Sequence, residues 1–300
     1  MSNKKTDNAI RNLFIEKIYN IYDGKKAEEV FLTYIKSDGT EEDITYRSFG
    51  LKCELLMQKF QKSMLRRNDR VLVLTPMSPF GCIAVTALAI SELVSVVLNP
   101  QLPEEELDSL VKKSDISGIV CDEEIYQKYA YKWTQKYPVF NIKTGDLFLN
   151  REYFSESSKD SDDVLAILYS SGTTSEPKGV MITYEAQMKS AEFLLRAFGT
   201  NDIRYLLVFP MFHVSGFSVF FALFLGGGQI GLLENTNSIK LMDGFQKYKP
   251  NAFGMVPKVY ETFYTKIVSQ LNNKKFAMKM LSFCGWLNEK LHIKAGSFFF

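Results

Sequence analysis

Apolar residues near the start of the chain recur at helical spacing. Ile10, Leu13, Phe14, Ile18 and Ile21 fall on one face of a 3.6-residue period and predict an amphipathic helix. Two β-rich runs follow, Val30–Lys36 and Asp43–Tyr46, on either side of Ser37-Asp38-Gly39-Thr40. Asp-Gly between such runs predicts a hairpin, with a second helix after it to about residue 65. Beyond that point the period changes. Arg70–Thr75 is β-rich, Phe80–Leu93 is helical and Val94–Asn99 is β-rich again. Pro103–Ser114 predicts a helix with Pro103 near its first position, Glu104, Glu105 and Glu106 in the first turn and Lys112 and Lys113 in the last, so its charges suit the dipole at both ends. Gly118–Asp122 and Val139–Ile142 add two strands with a helix between them. Almost fully apolar strands alternating with helices predict a parallel sheet covered on both faces, an α/β fold.

The polar segment Ser155–Asp163 interrupts this alternation, which resumes at Val164–Tyr169. It is the expected linker between a first lobe, residues 1–160, and a second, residues 161–300. From Tyr205 to Leu233 no residue is formally charged, a stretch long enough to span a bilayer. Pro210 and Gly226-Gly227-Gly228 divide it, however, and it is expected to form a strand (Tyr205–Phe209), a loop around His213, a buried helix (Phe217–Leu225) and a strand (Ile230–Leu233). The opening Met-Ser-Asn-Lys-Lys-Thr-Asp-Asn precedes no leader-like apolar segment. Cys53, Cys82, Cys121 and Cys284 lie far apart without a CxxC pair, and there are two histidines, so neither a zinc site nor a disulfide framework is expected. A cytoplasmic location follows as the expectation. A net charge of +2 leaves no footprint for nucleic acid.

The chemistry concentrates in VLAILYSSGTTSEPKGVMITY, residues 164–184. A buried strand leads into Ser170, Ser171, Gly172, Thr173, Thr174 and Ser175, then Pro177-Lys178-Gly179 and another apolar run. Hydroxyls and the backbone N–H groups around Gly172 can converge on one anion, and Lys178 adds positive charge. The order is not that of a Walker A loop, because Pro177 precedes the lysine and Gly179 follows it; this disfavours a P-loop kinase. Composition alone leaves open both a phosphate-binding loop and an ordinary Ser/Thr-rich turn.

SSGTTSEPKGV, within Tyr169–Val180, resembles the phosphate-binding signature of the adenylate-forming superfamily of acyl-CoA synthetases, luciferases and peptide-synthetase adenylation domains. It departs from that signature at Ser175, where the family usually has glycine. Ile44-Thr45-Tyr46, Asn68-Asp69-Arg70-Val71, Leu98-Asn99-Pro100, Phe209-Pro210-Met211-Phe212-His213-Val214-Ser215-Gly216 and Val256-Pro257-Lys258-Val259-Tyr260-Glu261 resemble further family stretches in the same order.

The resemblance implies two doubly wound, mostly parallel sheets flanked by helices, forming part of the family's large lobe. It also implies a two-step reaction: a carboxylate attacks the α-phosphorus of ATP, and a thiol, usually coenzyme A, then displaces AMP. Ser170, Ser171, Gly172, Thr173, Thr174, Ser175, Lys178 and Gly179 would hold the nucleotide phosphates, with Thr174, Lys178 and His213 the catalytic set. A lone histidine in an apolar segment is more often a packed core residue. By its place in the motif the resemblance assigns His213 to the acyl-carboxylate and thiol-access side. Magnesium is implied between the phosphates, but the motif carrying its carboxylate ligand has no counterpart in the chain, so no metal ligand is assigned.

Residues 247–294 hold nine lysines against Glu261 and Glu289, and Phe276, Met280, Phe283, Leu287 and Leu291 recur at helical spacing. Such a helix either packs on its domain with a solvated face or, through residues 274–294, contacts an anionic membrane. The insertion resembles long-chain acyl-CoA synthetases, which makes a fatty acid the expected substrate, with o-succinylbenzoate or other aryl acids and amino acids as alternatives. The family's later adenine-, ribose- and lid-lysine motifs are absent. The chain is therefore expected to be truncated, to lack the C-terminal part of the enzyme, and to be a weak catalyst or a non-catalytic nucleotide- or acyl-binding remnant.

Overall fold

A computed structural model describes residues 2–148, 163–170, 177–199, 202–255, 257, 260, 261, 264 and 265. The first predicted helix is α1 (Ser2–Tyr22), and the hairpin is β1 (Val30–Ile35) and β2 (Glu41–Thr45). α2 (Tyr46–Lys62) starts where the Thr45 hydroxyl accepts a hydrogen bond from the Ser48 N–H, an N-cap that fixes its first turn. β3 (Arg70–Leu74), α3 (Pro79–Ile90), β4 (Val94–Val97), α4 (Glu104–Ser114), β5 (Gly118–Cys121), α5 (Glu123–Trp133), β6 (Val139–Asn141) and β7 (Leu147–Phe148) follow. Pro103 occupies the cap of α4, one position outside the helix, and Asp115 closes that helix in the left-handed conformation with φ 51°.

After the linker come β8 (Val164–Ser170), β9 (Lys178–Thr183), α6 (Tyr184–Phe198), β10 (Arg204–Leu207), α7 (Val214–Gly226), β11 (Gln229–Leu233), α8 (Ser238–Tyr248) and β12 (Ala252–Phe253). The uncharged stretch from Tyr205 to Leu233 is thus divided into strand, helix and strand. Among the described residues no helix is long and apolar enough to cross a membrane.

The strands form a five-stranded sheet, β12-β10-β11-β1-β2, and a seven-stranded sheet, β7-β6-β5-β3-β4-β8-β9. Pairing is parallel except at β1–β2, β6–β7 and β8–β9. The sheets do not divide the chain at residue 160. β8 and β9 complete the sheet begun by β3, whereas β1 pairs with β11 across most of the sequence and β2 flanks it at the edge. The reason is burial. Phe31 on β1 packs against Tyr46 (ring centroids 4.7 Å), Phe49 (5.0 Å) and Phe224 of α7 (4.9 Å), and all four rings are fully buried.

One core contains residues of both sheets and of α1, α2, α3, α6 and α7. A second covers the other face of the seven-stranded sheet beneath α4 and α5, and α8 packs on β10 and β11. Met1–Gly254 makes up this body. Met255–Phe300 is a separate unit in which Thr265 Oγ1 donates to the Glu261 carbonyl, one helical turn back. The linker, Ser171 to Ser175, Val256, Lys258, Val259 and the basic helix expected within 272–294 lie outside the described residues.

Candidate functional site

β8 and β9 are the two arms of a hairpin whose register pairs Ser170 with Lys178, Tyr169 with Gly179 and Leu168 with Val180. The hydroxyl-rich segment joins these arms, so both of its ends are fixed by the ladder. Alternation along β9 places Lys178, Val180 and Ile182 on one face and Gly179 and Met181 on the other. Lys178 is exposed.

Beside the hairpin lies a cavity of about 400 Å³. It is lined by Leu168, Tyr169, Pro177, Val180 and Ile182 of the hairpin, by Phe212, His213 and Val214 at the start of α7, by Val97 at the end of β4 with Leu98, Asn99 and Leu102 after it, and by Glu106 and Leu110 of α4. The position follows from the topology. The carboxyl ends of the parallel strands β4 and β8 open here, where α/β folds leave a crevice. Its lining is mainly apolar, with Asn99, Glu106, Tyr169 and His213 the polar members.

His213 is held at the N-cap of α7. Its N–H donates to the Pro210 carbonyl at 3.0 Å, and its own carbonyl accepts from Phe217 N–H at 3.0 Å. The side chain makes no capping bond and is exposed, so the imidazole borders the cavity rather than packing in the core. Gly216 makes this possible: a Cβ there would lie 2.2 Å from the Pro210 oxygen and 2.5 Å from the Phe209 oxygen, so the loop carrying His213 can press on the helix only because position 216 has no side chain.

Burial pushes the Cys53, Cys82 and Cys121 thiols up from their ordinary range, which leaves none of them an activated nucleophile. Among the described residues no group of three or more His, Cys, Asp or Glu could hold a metal ion. Of the residues singled out in the sequence, the structure therefore describes Ser170 (main chain only), Lys178, Gly179 and His213. Lys178 shares a strand face with cavity-lining residues, and His213 lines the same cavity. Ser171, Gly172, Thr173, Thr174 and Ser175 are not described. Sequence reasoning assigned no site role to Tyr169, Ser114, Glu106 or Gly216, placing Glu106 only in the acidic first turn of α4. Ser114 and Glu106 carry no motif that marks them; Tyr169 and Gly216 sat inside recognised motifs, but only the packing shows what they do.

The chain is thus a layered α/β fold with a lysine-bearing hairpin beside a mainly apolar cavity. The sequence matches the AMP-binding enzyme family over residues 23–299, and the chain belongs to that family. It is 28% identical over 182 residues to a 2-succinylbenzoate–CoA ligase of Bacillus cereus, covering 60% of this chain and 36% of that protein. The structure is similar to an o-succinylbenzoate coenzyme A synthetase of Bacillus subtilis solved in complex with ATP and magnesium (TM-score 0.68, 17% identity, 84% of this chain and 65% of the other). It is also similar to a long-chain-fatty-acid–CoA ligase of Archaeoglobus fulgidus (TM-score 0.70, 20% identity, 85% and 54%). These two likenesses show the shared fold. The chain spans about a third of the curated relative's length.

Proposed function

We propose that the chain carries the phosphate-binding and thiol-access side of an ATP-dependent acid–thiol ligase, one that converts a carboxylic acid to an acyl-adenylate and then to a coenzyme A thioester. The observation that carries this reading is the shared face: Lys178 lies one alternation step from Val180, a wall of the same cavity that His213 lines.

The substrate carboxylate is the nucleophile. Its oxygen forms a bond to the α-phosphorus, and the electrons of the broken P–O bond leave with pyrophosphate. The thiol sulfur then bonds to the acyl carbon, and AMP departs with the electrons of the C–O bond. The protein therefore needs no activated side-chain nucleophile, in keeping with the three buried thiols. Its task is positioning and positive potential. The Lys178 ammonium meets charge on the nucleotide's terminal phosphates, with the hydroxyls of Ser170, Ser171, Thr173, Thr174 and Ser175 as further donors, while His213 orients the carboxylate. Magnesium bound with the nucleotide would supply further positive charge against the phosphates; no cluster of ligands for it occurs among the described residues. The apolar lining from Val97, Leu98, Leu102 and Phe212 suits the body of the acid or the arm of the thiol, since both must reach the same carbon. A fatty acid is the substrate class proposed.

Calorimetry of Mg·ATP binding to the 300-residue chain tests the phosphate role. Losing one charge-assisted contact in Lys178→Ala is expected to weaken binding about 10–100-fold; equal affinity would remove Lys178 from the site. Pyrophosphate exchange with a panel of acids tests the substrate class. Exchange with aryl or amino acids and none with fatty acids would overturn the fatty-acyl assignment, and binding without exchange for any acid would mark a nucleotide-binding protein that does not catalyse.

A further inference from the structure

We propose that Tyr169, itself at the edge of the cavity, is a positioning residue for Lys178, acting through Gly179, its partner across the hairpin; this rests on the phosphate-binding reading of Lys178. Tyr169 and Gly179 are direct cross-strand partners. A Cβ on Gly179 would sit 3.0 Å from Ile167 Cγ2, 3.3 Å from Tyr169 Cζ and 3.5 Å from Tyr169 Cε1, so the ring lies across the glycine beside Ile167, as an aromatic covers a bare position in a sheet. Gly179 is not among the positive-φ glycines. What crowds a side chain next to the lysine is therefore Ile167 together with the tyrosine ring, not a left-handed backbone.

The ring is anchored at its far end. Tyr169 Oη and Ser114 Oγ are 2.9 Å apart, and Ser114 Oγ donates its only proton to the Leu110 carbonyl at 2.6 Å. The phenol must then be the donor to Ser114. Ser114 is itself fixed: it is 1% exposed, and its carbonyl accepts from Arg70 Nη1 at 3.0 Å. This chain ties the last turn of α4 to the strand position next to Lys178, and so sets where that strand can carry the ammonium relative to the cavity.

Two measurements on the full 300-residue protein test this, with melting temperatures recorded for each variant. In Mg·ATP binding, Tyr169→Phe, which keeps the ring and removes the donor, should weaken affinity about 5-fold, the scale of one net hydrogen bond. Gly179→Ala, which presses on both Ile167 and the ring, should do at least as much. Because Tyr169 acts through the lysine, adding Tyr169→Phe to Lys178→Ala should change affinity less than about 2-fold, the non-additivity of coupled sites. Unchanged affinity in Tyr169→Phe, or a full further loss in the double variant, overturns the proposal.

The second measurement needs no nucleotide. Reductive methylation read by mass spectrometry should show Lys178 modified at least about 2-fold faster in Tyr169→Phe than in the parent, with the exposed Lys189 as the unchanged reference. Equal rates at Lys178 overturn the positioning role even if ATP binds. A parent protein that shows the labelling change yet binds no ATP keeps the positioning and refutes the phosphate reading instead.

Discussion

Replacing Gly216 by alanine sets two physical effects against each other, and the geometry decides the sign. Gly216 is the third residue of α7, and helix propensity favours alanine over glycine by up to about 1 kcal/mol. A substitution judged on the helix alone is therefore stabilising. The Cβ, however, would meet main chain: 2.2 Å to the Pro210 oxygen, 2.5 Å to the Phe209 oxygen and 2.8 Å to the Pro210 carbonyl carbon. No side chain can rotate away, so the 209–213 loop or the helix must shift by about 1 Å to restore ordinary contacts. Overpacking of this kind costs about 1–3 kcal/mol, with backbone displacement at the upper end. The net expectation is a loss of about 2 kcal/mol, or about 3 °C in melting temperature for a chain of this size. Urea unfolding of the two proteins measures it, provided the m-value is unchanged. Gly199→Ala is the control, because its φ is +65° and nothing lies within 4 Å of a built Cβ; only the left-handed backbone, about 1–2 kcal/mol, opposes it. A Gly216→Ala protein as stable as the parent, or more stable, would refute the claim that the His213 loop is pressed onto α7.

Other substitutions address the core, the electrostatics and the site. Phe224→Ala removes a fully buried ring in contact with Phe31, Tyr46, Phe49 and Phe220 and should cost about 3–5 kcal/mol; a loss under about 1 kcal/mol in urea titration would show that this cluster does not join the sheet to α7. Burial raises the Asp122 carboxyl above its ordinary value, with Glu124 and Glu123 adding to the rise and the Ile125 N–H and Lys143 opposing it. A raised carboxyl binds its proton more tightly folded than unfolded, so the stability it contributes is present below the unfolded value of 3.8 and lost as pH climbs through the folded one. Asp122→Asn can still accept from Ile125 N–H through Oδ1; it should match or exceed the parent at neutral pH and lose that advantage on acidification, whereas a deficit at neutral pH that shrinks in acid would reverse the argument. His213→Ala, changing a side chain that makes no capping bond, should leave the melting temperature within about 1–2 °C of the parent while lowering acid-dependent exchange; a large loss of stability would return His213 to a structural role.

The elements were legible because each is encoded locally. Helical spacing from Ile10 to Ile21, Asp-Gly at 38–39 and the apolar runs at 70–75, 94–99, 118–122 and 139–142 correspond to α1, the β1–β2 turn and β3 to β6. The short strands β7 and β12, of two residues each, were not legible, since so brief a run carries no period. Nor was the antiparallel pairing of β8 with β9: two apolar runs around a loop look the same whether the second returns beside the first or crosses over. For the site, residue types marked the hydroxyl-rich loop, Lys178 and His213, but no local signal could show that His213 and Val180 line one cavity, or that Ser114 bonds Tyr169.

The sequence by itself determined the α/β class, the order of its main elements and a loop chemically suited to phosphate, because propensity, period and residue type are properties of neighbours along the chain. Tertiary structure alone decided that β1 pairs with a strand some 200 residues away, that the division into sheets ignores residue 160, and that His213 borders the same cavity as Val180, a strand neighbour of Lys178. Partner choice among strands depends on which apolar faces can be buried together, as Phe31 is by Phe224, and that is settled only when the whole chain competes for the same core.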